Sequence, residues 1–129
     1  MAAPGETDLA AMLATLAVQR RPGIFAYIAV EVPTPGLIAA AHALVKEGRL
    51  TTIVLPVDAA ERAGQATDVR FAWLTLTVQS SLDAVGLTAA VSARLAALGI
   101  PCNVLAGYHH DHLLVPVDRV DDAVAVLTA

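Results

Sequence analysis

Residues 71–117 read FAWLTLTVQSSLDAVGLTAAVSARLAALGIPCNVLAGYHHDHLLVPV. The alternating segment FAWLTLTV predicts a strand, which passes into a polar turn, Ser80-Ser81-Leu82-Asp83, and then into a long alanine-rich helix. After that helix, GIPCNVLAG and HHDHLLVPV predict two strands that return beside the first. A last helix is expected from Asp118, with Val120, Ala123, Val124 and Leu127 as its apolar stripe and Asp121 in its first turn. Strand, helix, strand, strand, helix is the body of a ferredoxin-like α+β unit. Alternation puts Ala72, Leu74, Leu76 and Val78 on one face of the first strand, and Phe71, Trp73, Thr75 and Thr77 on the other. The second face is expected to meet the other half of the chain or a second subunit, with cover by the N-terminal helix as the alternative.

Upstream, Leu9, Met12, Leu13 and Leu16 repeat at helical intervals after Thr7, a plausible N-cap, and Pro22-Gly23 is expected to stop that helix. Arg20 and Arg21 would then complement its C-terminal dipole. Ile24 to Val30 and Leu50 to Val57 predict strands. Between them Leu37, Ile38, Ala41, Leu44 and Val45 form a helical stripe that Gly48 would close. Asp58 and Glu61 have capping-box spacing for a short helix ended by Gly64. Residues 65–69 carry no periodicity and make the best internal boundary, dividing the chain into halves 1–66 and 67–129.

A chain of 129 residues buries roughly two thirds of its unfolded surface, so one compact domain, or two small ones sharing a core, is expected. With eight Lys plus Arg and a formal charge of −4, no basic stripe exists for nucleic acid. Cys102 is alone, so no intrachain disulfide forms. The first residues lack the basic start of a secretory signal, and no apolar run reaches the roughly 18–20 residues that cross a bilayer. The default expectation is a soluble, cytoplasmic protein with no membrane contact.

The Ser80 to Thr88 junction has the chemistry of a small-molecule site. The first N–H groups of the following helix lack intrahelical partners and sit at its positive end, where a carboxylate is favoured. Asp83 could receive an ammonium group. The plainer alternative is that Ser80 or Ser81 caps the helix. Gly86, read as lying inside the helix, points to close approach of a ligand or of a packed neighbour. His109, His110, Asp111 and His112 raise a metal reading, since His110 and His112 would share a strand face. The third ligand is missing, and Gly107 to His110 reads better as a hairpin connection. No nucleophile elbow or phosphate-binding glycine motif is present.

The run from Leu74 to Leu127 resembles the second half of small bacterial proteins built from paired ACT domains, the ligand-sensing modules also found in aspartate kinases. SSLDAVGLT, the helix ending LGI, and CNVLAGYHHDH carry the likeness, while GETDLAAML, the Phe25 strand and Glu47-Gly48 agree with the first half. Lys46 and Arg20-Arg21 depart from the family pattern. The resemblance implies two ferredoxin-like, βαββαβ-type units side by side, with antiparallel sheets and helices on one face. It further implies a non-enzymatic regulatory protein that binds an amino acid or similar effector at the junction of the units, needs no cofactor, and pairs with itself or docks on a regulated protein. Carried over residue by residue, Ser80, Ser81, Leu82, Val85, Gly86 and Leu87 match the effector loop, Asn103 follows the Gly-Ile before the next strand, and His110, Asp111 and His112 match the HDH element. The alternatives are a pairing module without ligand and a metal-dependent enzyme using the HHDH segment.

Overall fold

Val18 to Val30 form one strand of 13 residues, running straight through the Pro22-Gly23 pair expected to stop a helix. The computed structural model describes residues 9–78 and 85–129. In chain order they form α1 (Leu9–Ala14), β1 (Val18–Val30), α2 (Pro35–Ala40), β2 (Ala43–Glu47), β3 (Leu50–Pro56), α3 (Val57–Arg62), β4 (Phe71–Leu76), α4 (Leu87–Ala97), β5 (Asn103–Ala106), β6 (Asp111–Pro116), a 3-10 turn (Val117–Arg119) and α5 (Val120–Leu127). The fold class is α+β, ferredoxin-like. By internal contacts the chain divides into a larger unit, 1–22 with 72–129, and a smaller one, 23–71.

In the larger unit the first residues of β1, then β4, β6 and β5, follow in that order across the sheet. β5 and β6 pair antiparallel, Asn103 opposite Leu114 and Ala106 opposite Asp111. One apolar face of β4, namely Ala72, Leu74 and Leu76, is buried with Met12 of α1, Val91 and Leu95 of α4, Leu113 and Val115 of β6, and Val120, Ala123 and Leu127 of α5. The 3.6-residue stripe of α5 is thus the one read from sequence, and the period-2 pattern of β4 fixes which of its faces is dry. α1 is short. Its expected stripe is real at Met12, but Thr15 turns its hydroxyl back to the Ala11 carbonyl, and β1 begins three residues later.

In the smaller unit the order is β2, β3, β1. β1 and β3 pair antiparallel from Phe25 opposite Pro56 to Val30 opposite Thr51. Thr34 caps α2 by accepting from the Leu37 N–H at 3.2 Å, and Pro35 occupies its first turn, where a missing N–H costs nothing. The helical stripe expected to continue through Val45 stops at Ala40. Residues 43–47 instead pair with β3, Ala43 opposite Val54 and Glu47 opposite Leu50. Gly48, at φ +62°, is therefore the first residue of a two-residue hairpin loop rather than a helix cap, a place where glycine meets the backbone requirement. The capping box does not form, because α3 begins at Val57 with Pro56 at its N-cap and no side-chain cap. Asp58 accepts from the Ala59 N–H at 3.0 Å, while Glu61 accepts from Thr67 and Arg70 and ties the loop after α3 to the helix.

The element order β1-α2-β2-β3-α3 recurs as β4-α4-β5-β6-α5. At the same point in both series the sequence reads Pro-Val-Asp, residues 56–58 and 116–118. Both prolines have nearly the same extended backbone, φ −57°, ψ 142° and φ −53°, ψ 136°. Each ends a strand and starts a helical turn, as fixed proline φ and a following acidic residue favour.

Candidate functional site

In the larger unit the polar face of the sheet carries a cleft of about 520 Å³ lined by Gln19, Arg20, Arg21, Pro22, Thr75, Thr77, His110 and His112. Three strands build it. Thr75 and Thr77 lie two apart along β4 and its end, and His110 and His112 two apart at the start of β6, so each pair shares a face. Thr77 is held to the chain before β1 by its N–H and its hydroxyl, both donating to the Ala17 carbonyl at 2.9 and 3.1 Å.

Trp73 is the floor beside the cleft. It is 2% exposed, with the Arg21 guanidinium 4.1 Å above the ring centroid and the His112 ring 5.4 Å away, centroid to centroid. The indole face therefore meets a cation of its own unit, and the indole edge, with its N–H, meets an imidazole. A cation placed over the ring face is held there by the ring quadrupole.

His112 has its tautomer set by its neighbours. The Trp73 indole N–H, which can only donate, points to His112 Nδ1 at 3.3 Å, and the Thr75 hydroxyl lies 2.9 Å from the same atom. Nδ1 is thus an acceptor, and the proton of the neutral ring sits on Nε2. The His112 pKa is pushed below its ordinary 6.5, first by burial, then by the Arg21 and His110 charges, with Asp111 pulling the other way. Burial raises the pKa of the half-buried Cys102 thiol, which makes it a poor nucleophile.

A depressed folded-state pKa has a defined sign. Above about 6.5 both folded and unfolded chains hold His112 neutral; as pH falls through that value the unfolded chain takes up the proton first, and stability drops toward the lower folded-state pKa. His112→Asn places an amide oxygen near Nδ1, keeps an acceptor for the indole, and is expected to flatten this acid-side loss. Urea midpoints measured at about pH 8 and about pH 5.5, on either side of the free histidine value, check it. A midpoint that falls as steeply in the variant as in the parent would place the dependence on other groups.

The hairpin of β5 and β6 brings the histidines in. Gly107 donates its N–H to the His110 carbonyl at 2.8 Å, closing the connection over Tyr108 and His109, whose rings meet edge to face at 4.7 Å. Both of these side chains are exposed, and His110, Asp111 and His112 are half-buried. Asp111 lies between the two cleft histidines in sequence and, by alternation, on the opposite face. Among the described residues no group of three or more His, Cys, Asp or Glu side chains is placed to hold a metal ion.

The remaining sequence-read positions are scattered. Ser80, Ser81, Leu82 and Asp83 lie outside the described residues. Val85 is exposed, whereas Leu87 is buried in the core with Met12 and Val91. Gly86 is not inside α4 but caps it, with φ +101°. A Cβ there would sit 2.9 Å from Leu9 Cδ2, so a left-handed backbone and a packed neighbour explain the glycine. Asn103 is exposed at the first position of β5. Sequence reading missed Gln19, Arg20, Arg21, Thr75 and Thr77 as cleft residues. The available signal was the polar alternation of Thr75 and Thr77 on β4, matched by that of His110 and His112.

Among the described residues no helix is long and apolar enough to cross a membrane. A protein-family model described as an ACT domain matches residues 68–129. No curated protein matches the sequence. A Vibrio cholerae protein of unknown function, described as a possible transport protein, is 36% identical over 86% of each chain with a TM-score of 0.81. An Agobacterium tumefaciens protein is 16% identical, covering 87% of this chain and 86% of that one, with a TM-score of 0.64. The ligand-free regulatory subunit of Thermus thermophilus aspartate kinase is 11% identical, covering 85% and 92%, with a TM-score of 0.58. The last two share the fold, while the first extends the relationship over most of the sequence. Together with the ferredoxin-like order of elements and the match over β4 to α5, they make this chain a member of the ACT-domain family.

Proposed function

We propose that the chain is a non-enzymatic regulatory protein whose larger unit senses a small carboxylate effector, an amino acid or a close relative of one. The observation that carries the proposal is the cleft, lined by two arginines, a glutamine, two threonines and two histidines, with Arg21 stacked on Trp73. Such a set binds and orients an acid, and the Thr75 hydroxyl shares His112 Nδ1 with the Trp73 indole N–H, an arrangement that fixes the ring. The loop read from sequence, Ser80 to Gly86, belongs to the proposal as a second contact. The two halves, 1–66 and 67–129, are proposed to be tandem ACT-like repeats, supported by the repeated element order and the recurring Pro-Val-Asp turn. A sensor acts on something else, so the effector is proposed to regulate pairing with a second copy or docking on a partner, by binding two states unequally.

A thermal-shift screen of the amino acids and simple carboxylic acids, each in large excess, tests this. A ligand at 100 times its Kd is expected to add about 2.7 kcal/mol to the stability. Ser80→Ala with Ser81→Ala is expected to weaken the hit. Light scattering across a dilution series, with and without the hit, reads the pairing; a monomer under both conditions removes that part. No shift for any compound, confirmed by calorimetry, overturns the reading of the cleft as an effector site.

A further inference from the structure

We infer that His112 is a proton-sensitive latch that positions Trp73, and through it Arg21, so that the cleft is ordered while the imidazole is neutral and loosens when it is charged. The inference goes beyond the effector reading, and its test needs no effector. Its ground is a pair of donors that share one nitrogen. The Trp73 indole N–H reaches His112 Nδ1 at 3.3 Å, and the Thr75 hydroxyl lies 2.9 Å from the same atom. A neutral imidazole meets both with its Nδ1 lone pair. An imidazolium carries an N–H on each nitrogen, so Nδ1 then turns a proton toward an indole that can only donate. Thr75 can rotate its hydroxyl and accept that proton; Trp73 cannot.

Turning the ring over gives no relief, because either edge of the charged ring presents a donor. The Nε2 side is closed as well: a Cβ on Gly107 would lie 2.9 Å from His112 Nε2, and the Gly107 N–H, bonded to the His110 carbonyl at 2.8 Å, holds the hairpin there. Room lies on the side of the cleft of about 520 Å³ that His112 lines. Arg21 follows, since its guanidinium sits 4.1 Å above the centroid of the ring that the latch holds. Burial is the largest influence against charging His112; among the described residues the charged and titratable groups acting on it are Arg21 from β1 and His110, which oppose the charge, and Asp111, which favours it. β4 contributes Trp73 and Thr75, neither of which ionises near neutral pH. The ring is therefore neutral there, and the latch closed.

Trp73 is the single tryptophan of the chain, so acrylamide quenching of tryptophan emission reads the latch directly. The intact chain is followed at fixed ionic strength from about pH 8 to about pH 5, on either side of the ordinary histidine value, with far-UV circular dichroism to show that it stays folded. The quenching constant is expected to rise roughly threefold in acid, reversibly, in step with the His112 C–H resonances. His112→Asn, which keeps an acceptor for the indole and cannot take up a proton, is expected to hold the low constant throughout, and His110→Gln to keep the step. A flat constant in the parent, a step that survives His112→Asn, a step that follows His110 instead, or a rise only where circular dichroism is lost overturns the latch. Should His112→Asn fail to fold, the coincidence of the two titrations in the parent decides. Each of these outcomes leaves the effector screen to stand or fall by itself.

Discussion

Replacing Trp73 with alanine is expected to lower the unfolding free energy by about 3–5 kcal/mol, a large part of the roughly 5–15 kcal/mol that holds an ordinary domain folded. The ring is almost wholly buried although it lies on the polar face of β4, so its loss leaves a cavity and strips Arg21 and His112 of a contact at once. Arg21 loses the surface on which its guanidinium stacks, a contact worth about 0.5–1 kcal/mol when exposed and up to about 2 when desolvated. His112 loses the indole donor that fixes its tautomer. Thr75 becomes the only one of the two side chains still bonded to Nδ1. Effector affinity is therefore expected to fall along with stability, even under conditions where the variant remains folded.

Trp73→Phe separates these effects. It keeps a ring for Arg21 and removes only the N–H, a hydrogen bond whose net worth is about 0.5–1.5 kcal/mol. With the indole donor gone, Nδ1 no longer faces a group that can only donate, and the His112 pKa is expected to rise toward its ordinary value. Urea unfolding gives the stabilities, and the histidine C–H resonances followed against pH give the titration. An alanine variant within about 1 kcal/mol of the parent, below the usual range for a buried aromatic, would mean that the indole is not the platform the geometry makes it.

The elements that sequence alone made legible are those with an unambiguous period. β4 alternates over six residues and α5 repeats at 3.6, and both face the core with the side chains expected. The β5–β6 hairpin was legible because Gly107 interrupts two short apolar runs. β1 and β2 were not, for two different physical reasons. Leu44 and Val45 fit a helical stripe begun by Leu37 and Ile38, and only pairing with β3 turns them into a strand, a tertiary choice that local propensity does not encode. At β1 the Pro22-Gly23 pair reads as a helix stop, yet proline is tolerated in a strand where its N–H is not needed, and Gly23 takes φ +102°.

That second misreading hid half of the cleft. With Arg20 and Arg21 placed at a helix end, their charge had an ordinary role in dipole compensation; on a strand they line the cleft with Thr75, Thr77 and the histidine pair, and Arg21 sits over Trp73. Gly86 shows the converse. It looked like a mark of ligand approach, and the chain itself supplies the neighbour through Leu9.

Gly107→Ala carries the second large effect, because the new methyl meets backbone rather than a movable side chain. A Cβ at this position would lie 2.7 Å from the His110 carbonyl oxygen and 2.9 Å from His112 Nε2. The carbonyl cannot retreat easily, since it accepts the Gly107 N–H that closes the hairpin. Relief requires opening that hydrogen bond, displacing the imidazole, or both. Overpacking of this kind costs about 1–3 kcal/mol, and the lost hairpin bond adds about 0.5–1.5 kcal/mol. The displaced ring also breaks register with Trp73 and Thr75, so the cleft loses an ordered imidazole on the β6 side. The expected result is a lower urea midpoint combined with effector binding weakened at least tenfold, about 1.4 kcal/mol. The control is Gly64→Ala, which also strains a glycine but at a position with no atom within 4 Å of the added Cβ; at φ +76° it is expected to lose stability without losing effector affinity. If both variants bind equally well, His112 is not held in place by Gly107, and the close approach at the hairpin serves the turn alone.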